Sequence, residues 1–269
     1  MTDAGVIDGT WTALVLAGQR PGENAFADTH NVAFKALIPV AGEPMLARVV
    51  RTLLGCGAVR RVVIVAQDPE RLLAGAPGWL SRDERVATAR SSDGIATSID
   101  ALAGSTEAPF PLLVATADHA LLTQPMVEVF LAGAGEADAA FAVVERKVVE
   151  AGYPETRRTW LRFRGGDYSG ANLFALTTPA SRKALALWSS VERDRKKAVR
   201  LMFYFGPLLA LRALTRTISL DAALARIARR AGLGIRAVRL PFAEAAIDVD
   251  KPADLALAER ILSARQADR

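Results

Sequence analysis

Apolar residues fall along this chain in short dense runs separated by stripes of helical period. Runs rich in Val, Leu and Ala occupy 12–17, 61–66, 85–89, 111–117 and 139–145. They are short and almost continuously apolar, the pattern of strands buried on both faces of a sheet. Between them, Met45, Leu46, Val49, Val50, Leu53 and Leu54 recur along one helix face. Helices are also predicted over 94–103 and 123–132, the second with Thr123 as N-cap and Pro125 in its first turn. This alternation predicts an α/β fold with a mostly parallel sheet and helices on both faces. Ligands in such sheets bind beyond the carboxyl ends of the strands. Gly18 and Asp118 each follow a predicted strand and are expected to face one crevice.

After residue 146 the pattern changes. Segments 159–163 and 170–176 predict strands paired across the Gly165-Gly166 turn. Helices are expected over 179–192, 196–214 and 220–231, the last capped by Ser219, then a strand over 234–240 and a closing helix over 252–264 with Pro252 in its first turn. No repeat or low-complexity linker interrupts the chain. The expected organisation is one domain over 1–269 with an inserted helical subdomain at about 180–232.

Composition narrows the class. With 269 residues, 51% of them hydrophobic, the chain is long enough to bury a sizeable α/β core. It has no uninterrupted apolar run of about 18 residues. The opening MTDAGVIDGTW lacks the basic and apolar blocks of a signal peptide, so a cytoplasmic protein is expected. Cys56 is the single cysteine, which excludes an internal disulfide and a cysteine-based zinc site.

The net charge of +5 hides an asymmetry. Residues 1–150 carry 12 Lys and Arg against 18 Asp and Glu, whereas residues 151–269 carry 22 against 11. A basic second half suits anionic partners. Nucleic acid is not expected, because the basic residues are not interleaved with aromatics and no nucleic-acid-binding signature appears. At 193–214, Arg193, Arg195, Lys196, Lys197 and Arg200 precede Leu201, Met202, Phe203, Tyr204 and Phe205. Two readings stand: a helix packed with a basic solvent edge, or a peripheral contact with anionic lipid at the inner face of the membrane.

The chemistry concentrates at 14–46. A strand delivers Gly18 and Gly22 to a loop where the missing Cβ lets backbone N–H groups close on phosphate oxygens, and Lys35 adds a full positive charge. Spacing alone leaves open an ordinary strand–loop–helix with a surface lysine.

Leu16-Ala17-Gly18, followed by Lys35-Ala36-Leu37-Ile38-Pro39-Val40-Ala41-Gly42-Glu43-Pro44-Met45, resembles the MobA-like nucleotidyltransferases of the nucleotide-diphospho-sugar transferase superfamily. Their signature is Leu-Ala-Gly-Gly-x-Gly-x-Arg, a variable loop, then Lys-x-x-x-Pro-x-x-Gly-x-Pro-Leu/Met. The second half matches at every fixed position. The first half departs: Gln19 and Arg20 follow Gly18, and Gly22 comes late. Val114-Ala115-Thr116-Ala117-Asp118 is similar to the family strand that ends in a metal-binding aspartate. Ile247-Asp248-Val249-Asp250-Lys251-Pro252-Ala253-Asp254-Leu255 resembles its closing Asp-x-Asp-x-Pro-x-Asp-Leu segment. Ser91 and the Gly94-to-Ser98 spacing resemble the turn that lines the base and ribose in cytidylyltransferase members.

The resemblance implies a GT-A-like nucleotidyltransferase fold, a three-layer α/β/α Rossmann-like sheet with a helical insertion in the C-terminal half. It implies Mg²⁺-dependent transfer of an NMP from an NTP, with CTP favoured, to a phosphorylated or anionic small molecule, releasing pyrophosphate. Lys35 and Asp118 would be catalytic. Leu16, Ala17, Gly18, Gln19, Arg20, Gly22 and Lys35 would hold the triphosphate, with Arg20 in the role of the family arginine, and Ser91, Gly94 and Ser98 would line the nucleoside pocket. Asp118, Asp248 and Asp250 would form the metal site; alternation along a strand puts the last two on one side, with Asp248 the expected ligand, Asp250 its support and Asp254 structural. Gly170, Asn172, Arg157, Arg158 and Arg162 are candidates for the acceptor. The alternatives are a GT-A-like glycosyltransferase, disfavoured by an Asp-x-Asp pair so near the C-terminus, and a non-catalytic nucleotide-binding or membrane-associated regulator.

Overall fold

The computed structural model describes residues 10–19, 25–192, 211–212 and 215–267. Strand β1 (Trp11–Leu16) is followed by a short helix α1 (Ala25–Asp28), a 3₁₀ turn at Lys35–Leu37, the small strands β2 (Pro39–Val40) and β3 (Glu43–Pro44), and helix α2 (Met45–Gly55). Next come β4 (Val59–Ala66), α3 (Pro69–Ala74), β5 (Val86–Arg90), α4 (Ile95–Leu102), β6 (Leu112–Thr116), α5 (Gln124–Ala134), β7 (Ala139–Glu145) and α6 (Arg146–Gly152). The second half adds β8 (Leu161–Phe163), β9 (Gly166–Leu176), α7 (Arg182–Glu192), α8 (Leu220–Ala231), β10 (Ile235–Arg239) and α9 (Pro252–Ala267).

The main sheet runs β10-β7-β9-β6-β1-β4-β5, with β8 hydrogen-bonded to β9. Its pairs are parallel except those made by β9, which is antiparallel to β6, β7 and β8. The order reverses direction at β1: β4 and β5 extend to one side, β6 to the other. That makes the β1/β6 boundary the topological switch point, where parallel sheets leave a crevice. Leu14 lies opposite Val63 on one side and Val114 on the other, so the three central strands are in register. The ladder continues past the strand ends, with the Ala17 N–H donating to the Val65 carbonyl at 2.9 Å and the Ala117 N–H to the Leu16 carbonyl at 3.0 Å. Gly18 and Asp118 therefore leave the sheet side by side.

Alternation along the strands divides the core. Ala13, Val15, Ile64, Leu113 and Ala115 bury one face together with Leu46, Val50 and Leu53 of α2 and Met126 and Phe130 of α5. Leu14, Val63, Val65 and Val114 bury the other with Ile99 of α4 and Leu185 of α7. Each such large side chain contributes roughly 1.5–3 kcal/mol on burial. A third cluster joins Ile38, Val40, Met45 and Leu121 to Ile247, Val249, Leu255 and Ile261, and so docks α9 beside the hairpin of β2 and β3. This docking brings the far end of the chain to the switch point: the Val249 N–H donates to the Asp118 carbonyl at 3.0 Å.

The mostly parallel α/β sheet expected from periodicity is present, and the central strand boundaries agree within two residues. Some local predictions needed correction. The β8–β9 turn is made by Arg164 and Gly165, with Gly165 at φ 97°, and Gly166 already belongs to β9. Segment 179–192 opens as a 3₁₀ turn before α7. The expected Ser219 cap is made, its hydroxyl accepting from the Ala222 N–H at 3.3 Å. The helix expected over 196–214, and the lipid contact considered there, fall almost wholly outside the described residues. Among the described residues no helix is long and apolar enough to cross a membrane.

Candidate functional site

A cleft of about 670 Å³ opens at the carboxyl ends of β1, β4, β5 and β6. Gly18, Lys35, Gln67, Ser91, Asp118 and Asp250 are among its lining residues. Its floor is set by the strand ladder and its rim by three loops that the sequence brings from positions far apart.

The motif around Lys35 folds as a sequence of tight turns. Lys35 begins the 3₁₀ turn, and Ala36, Leu37 and Ile38 are buried beneath it. Ala41 at φ 49° and Gly42 at φ 79° then form a two-residue hairpin turn, a conformation that suits glycine. Gln19 ties this motif to the glycine loop, its Oε1 accepting the Lys35 N–H at 2.9 Å. Gln67, at the end of β4, binds both polar groups of the Gln19 backbone. The Gln19 N–H, expected to be a phosphate donor, is thus engaged by a side chain. Gly18 remains exposed on the cleft, and a Cβ there would come within 3.1 Å of the Gln67 amide nitrogen. Leu16 lines the cleft, whereas Ala17 is buried in the ladder below it. Arg20 and Gly22 lie outside the described residues.

Lys35 points its ammonium between two carboxylates. Nζ lies 2.7 Å from Asp118 Oδ2 and also pairs with Asp250. Thr116, two residues before Asp118 on the same side of the strand end, donates its hydroxyl to Asp118 Oδ1 at 2.5 Å. Burial works to lower the Lys35 pKa, but Asp118 and Asp250 outweigh it and hold it above its ordinary value. Burial likewise works to raise the Asp250 carboxyl, and the hydrogen bond and charge of Lys35 outweigh that, holding it below the ordinary carboxylate range.

Asp248 has a different environment. It pairs with Arg158 Nη1 and accepts from Asn172 Nδ2 at 3.4 Å. Burial first, then the Asp250 charge, pushes its carboxyl up to about 6, against the pull of Arg158. Arg158 reaches back with Nη2 to Asp254 at 2.9 Å, and Asp254 Oδ2 accepts the Asp250 N–H at 3.3 Å. Asp254 is therefore structural, as expected. The assignment of Arg158 to the acceptor is corrected: its side chain is 8% exposed, and both terminal nitrogens are spent on carboxylates behind the cleft.

The two aspartates of the expected metal pair face different cations. Ile247 and Val249 are buried, so Asp248 and Asp250 do share the opposite side, although no strand is formed there. Asp250 turns to Lys35 and the cleft, while Asp248 is held by Arg158. Nor do Asp118, Asp248 and Asp250 form a three-carboxylate cage: among the described residues no group of three His, Cys, Asp or Glu side chains could hold a metal ion. The donor chemistry nevertheless fits Mg²⁺ at Asp118 and Asp250. They already hold one cation between them, and Mg²⁺ commonly takes one or two carboxylates together with substrate phosphates.

Beyond β5, Ser98 accepts from the Ser92 N–H at 2.9 Å and donates to the Gly94 carbonyl at 2.6 Å. This hydroxyl staples the turn before α4. Ser91 Oγ, in the cleft wall, is buried without a hydrogen-bond partner among the described residues. Among the residues expected at the acceptor, Asn172 sits at φ 49° where the β7–β9 register shifts, an unusual backbone for a strand residue. Gly170, Arg157 and Arg162 are exposed. Gln67 and Thr116 were not expected from sequence; Thr116 was recoverable from its two-residue spacing to Asp118. His119 is buried with both ring nitrogens unpartnered among the described residues, and burial, against the pull of Asp118, pushes its pKa down to about 4.

Residues 13–202 match the family model described as the MobA-like NTP transferase domain. A structure described as a hypothetical transferase from Thermus thermophilus is 33% identical, with a TM-score of 0.74 over 91% of this chain and 98% of that one. CMP:2-keto-3-deoxy-manno-octonic acid synthetase complexed with CTP is 15% identical, with a TM-score of 0.59 over 95% of this chain and 99% of that one. A 4-diphosphocytidyl-2C-methyl-D-erythritol synthase from Anaerococcus prevotii is 10% identical, with a TM-score of 0.55 over 94% and 98%. These two share the fold. No curated protein matches the chain.

Proposed function

The chain belongs to the MobA-like NTP transferase family and is a nucleotidyltransferase, and from that premise we propose that its cleft moves an NMP from an NTP, preferably CTP, to a phosphorylated or anionic small-molecule acceptor. The observation that carries this reading is the convergence of Lys35, Asp118 and Asp250 beside Gly18 at the switch point. One cation and two carboxylates there suit a polyanion that arrives with a divalent metal.

An acceptor oxygen attacks the α-phosphorus in line; the new P–O bond forms as the bond to the β-phosphate oxygen breaks, and pyrophosphate leaves. The protein's part is positioning and charge neutralisation. Lys35 binds the triphosphate and offsets charge that builds on the leaving group. The glycine loop at Gly18 lets the chain approach the phosphates closely. Asp118 and Asp250 would hold Mg²⁺, which would screen the triphosphate and polarise the phosphorus under attack. Ser91, Gly94 and the turn stapled by Ser98 face the nucleoside; the preference for CTP rests on this turn and on the unpaired Ser91 hydroxyl. With the triphosphate along β1 and Lys35, the acceptor enters from the side of Gly170 and Asn172, and Arg157 is the exposed cation nearest in sequence to Arg158 there.

A pyrophosphate-release screen tests the reading: four NTPs with Mg²⁺ against phospho-sugars, phospho-alcohols and cofactor precursors. One combination is expected to give turnover that Lys35→Ala and Asp118→Ala abolish. Full turnover by either variant would refute the site.

A further inference from the structure

Lys35 occupies the place that the metal reading gives to a cation. Its Nζ is 2.7 Å from Asp118 Oδ2 and hydrogen-bonded to Asp250 as well. Mg²⁺ binds oxygen at about 2.0–2.1 Å, so an ion shared by these two carboxylates would stand almost where the ammonium stands. Two cations in that half-buried space would repel strongly. They exclude one another.

The rest of the chain leaves the Lys35 ammonium able to move. The Lys35 backbone is fixed: its N–H donates to Gln19, Gln19 is held by Gln67, and Ala36, Leu37 and Ile38 are buried. The aliphatic stem above this anchor is long and flexible, and its ammonium is a point charge that bonds any anion within reach. Asp118 and Asp250 are placed by other elements, through Thr116 and through Asp254 respectively. Movement of Lys35 therefore leaves the Asp118 carboxylate and the Asp250 backbone in position.

We infer that Lys35 is the built-in competitor of the divalent cation at Asp118 and Asp250, and that a triphosphate in the cleft loads the metal by drawing the lysine away. The inference rests on the nucleotidyltransferase reading of the same cleft. Its consequence is reciprocal coupling: the triphosphate raises metal affinity, and metal raises triphosphate affinity by the same factor. Free divalent cations then bind weakly, and the site fills when substrate is present.

Mn²⁺ titration followed by electron paramagnetic resonance, without nucleotide, tests this on the wild type, Lys35→Gln and Lys35→Met. Both variants are expected to bind Mn²⁺ at least tenfold more tightly than the wild type, and adding Asp250→Asn to either should remove the gain. No gain in the Lys35 variants, while the wild type takes up Mn²⁺ with an NTP beyond what the free NTP binds, would overturn the inference and leave the nucleotidyltransferase reading standing. No Mn²⁺ bound by any of these proteins, with or without an NTP, would overturn both. Should the variants fail to fold, ¹³C-lysine NMR of the unmutated protein carries the test. The Lys35 Cε signal should stay in place with Mg²⁺ alone and shift with Mg²⁺ and an NTP together. A shift with Mg²⁺ alone would overturn the inference.

Discussion

The carboxamide of Gln67 closes a ring on the peptide of Gln19: its Oε1 accepts the Gln19 N–H at 3.0 Å, and its Nε2 donates to the Gln19 carbonyl at 2.9 Å. A side chain thereby extends the β4–β1 ladder one step beyond its backbone. Because Gln19 in turn holds the Lys35 N–H, the glycine loop and the lysine turn are joined through Gln67. Net hydrogen-bond contributions of about 0.5–1.5 kcal/mol each make this link worth roughly tenfold in pre-organisation. Gln67→Ala is expected to raise KM for the NTP by about that factor with a smaller fall in kcat. Steady-state pyrophosphate release measures both, and an unchanged KM would show that the link does not serve substrate.

The two aspartates of the closing segment should separate kinetically. Asp250 faces Lys35 and the cleft; Asp248 faces Arg158. Asp250→Asn should lower kcat and raise the Mg²⁺ concentration needed for half-maximal rate. Asp248→Asn should act as the loss of a supporting residue does, within about 10–100-fold, and less than Asp250→Asn. Mg²⁺ titrations of the two variants decide it, and the opposite order would restore the ranking expected from sequence.

Arg158 should matter for stability before it matters for chemistry. Its guanidinium is buried between Asp248 and Asp254, and Asp254 is itself 9% exposed at the side chain. Removing one partner of a buried ion pair typically costs about 3–5 kcal/mol. Arg158→Met should lose stability at the low end of that range, because Asp248 keeps some contact with solvent. Arg158→Lys should recover only part, since a single ammonium lacks the planar fork whose two nitrogens reach Asp248 and Asp254 separately. Urea unfolding with an unchanged slope reads the loss; a variant as stable as the wild type would contradict this role.

His119 gives the fold an acid-sensitive element. Burial lowers its pKa from 6.5 to about 4, so between these values the unfolded chain binds a proton that the folded chain does not. Its contribution is present above pH 6.5 and is lost as pH falls toward 4. At pH 5 the loss is about 2 kcal/mol relative to pH 7. His119→Leu should show a correspondingly smaller drop between those two pH values in urea unfolding of metal-free protein. An equal drop would mean that other groups carry the acid sensitivity.

What the sequence revealed follows from the range of the forces involved. The central strands were legible because Val, Leu and Ala runs buried on both faces need no partner to announce them, and the Lys35–Met45 motif was legible because its turns are local. The hairpin at Ala41-Gly42 was hidden, since Ala-Gly is a weak signal for two positive φ values. Helix α3 was not predicted, although Asp68 caps it by accepting the Arg71 N–H at 3.2 Å and Pro69 follows in its first turn. That signal was available. The roles of Asp248 and Asp250 were not, because Arg158, which takes one of them from the cleft, lies 90 residues away from it. Gln67, separated from Gln19 by 48 residues, was out of reach for the same reason.

The cleft is expected to bind an NTP together with a divalent cation through Lys35, Asp118 and Asp250. Isothermal titration of each of the four NTPs with Mg²⁺ into the wild type tests it most directly, with Lys35→Ala and Asp250→Asn as controls. Binding of at least one NTP is predicted, tightest for CTP, lost on chelating Mg²⁺ and weakened in both variants. Binding of no NTP in the presence of Mg²⁺, or binding that neither substitution alters, would contradict it.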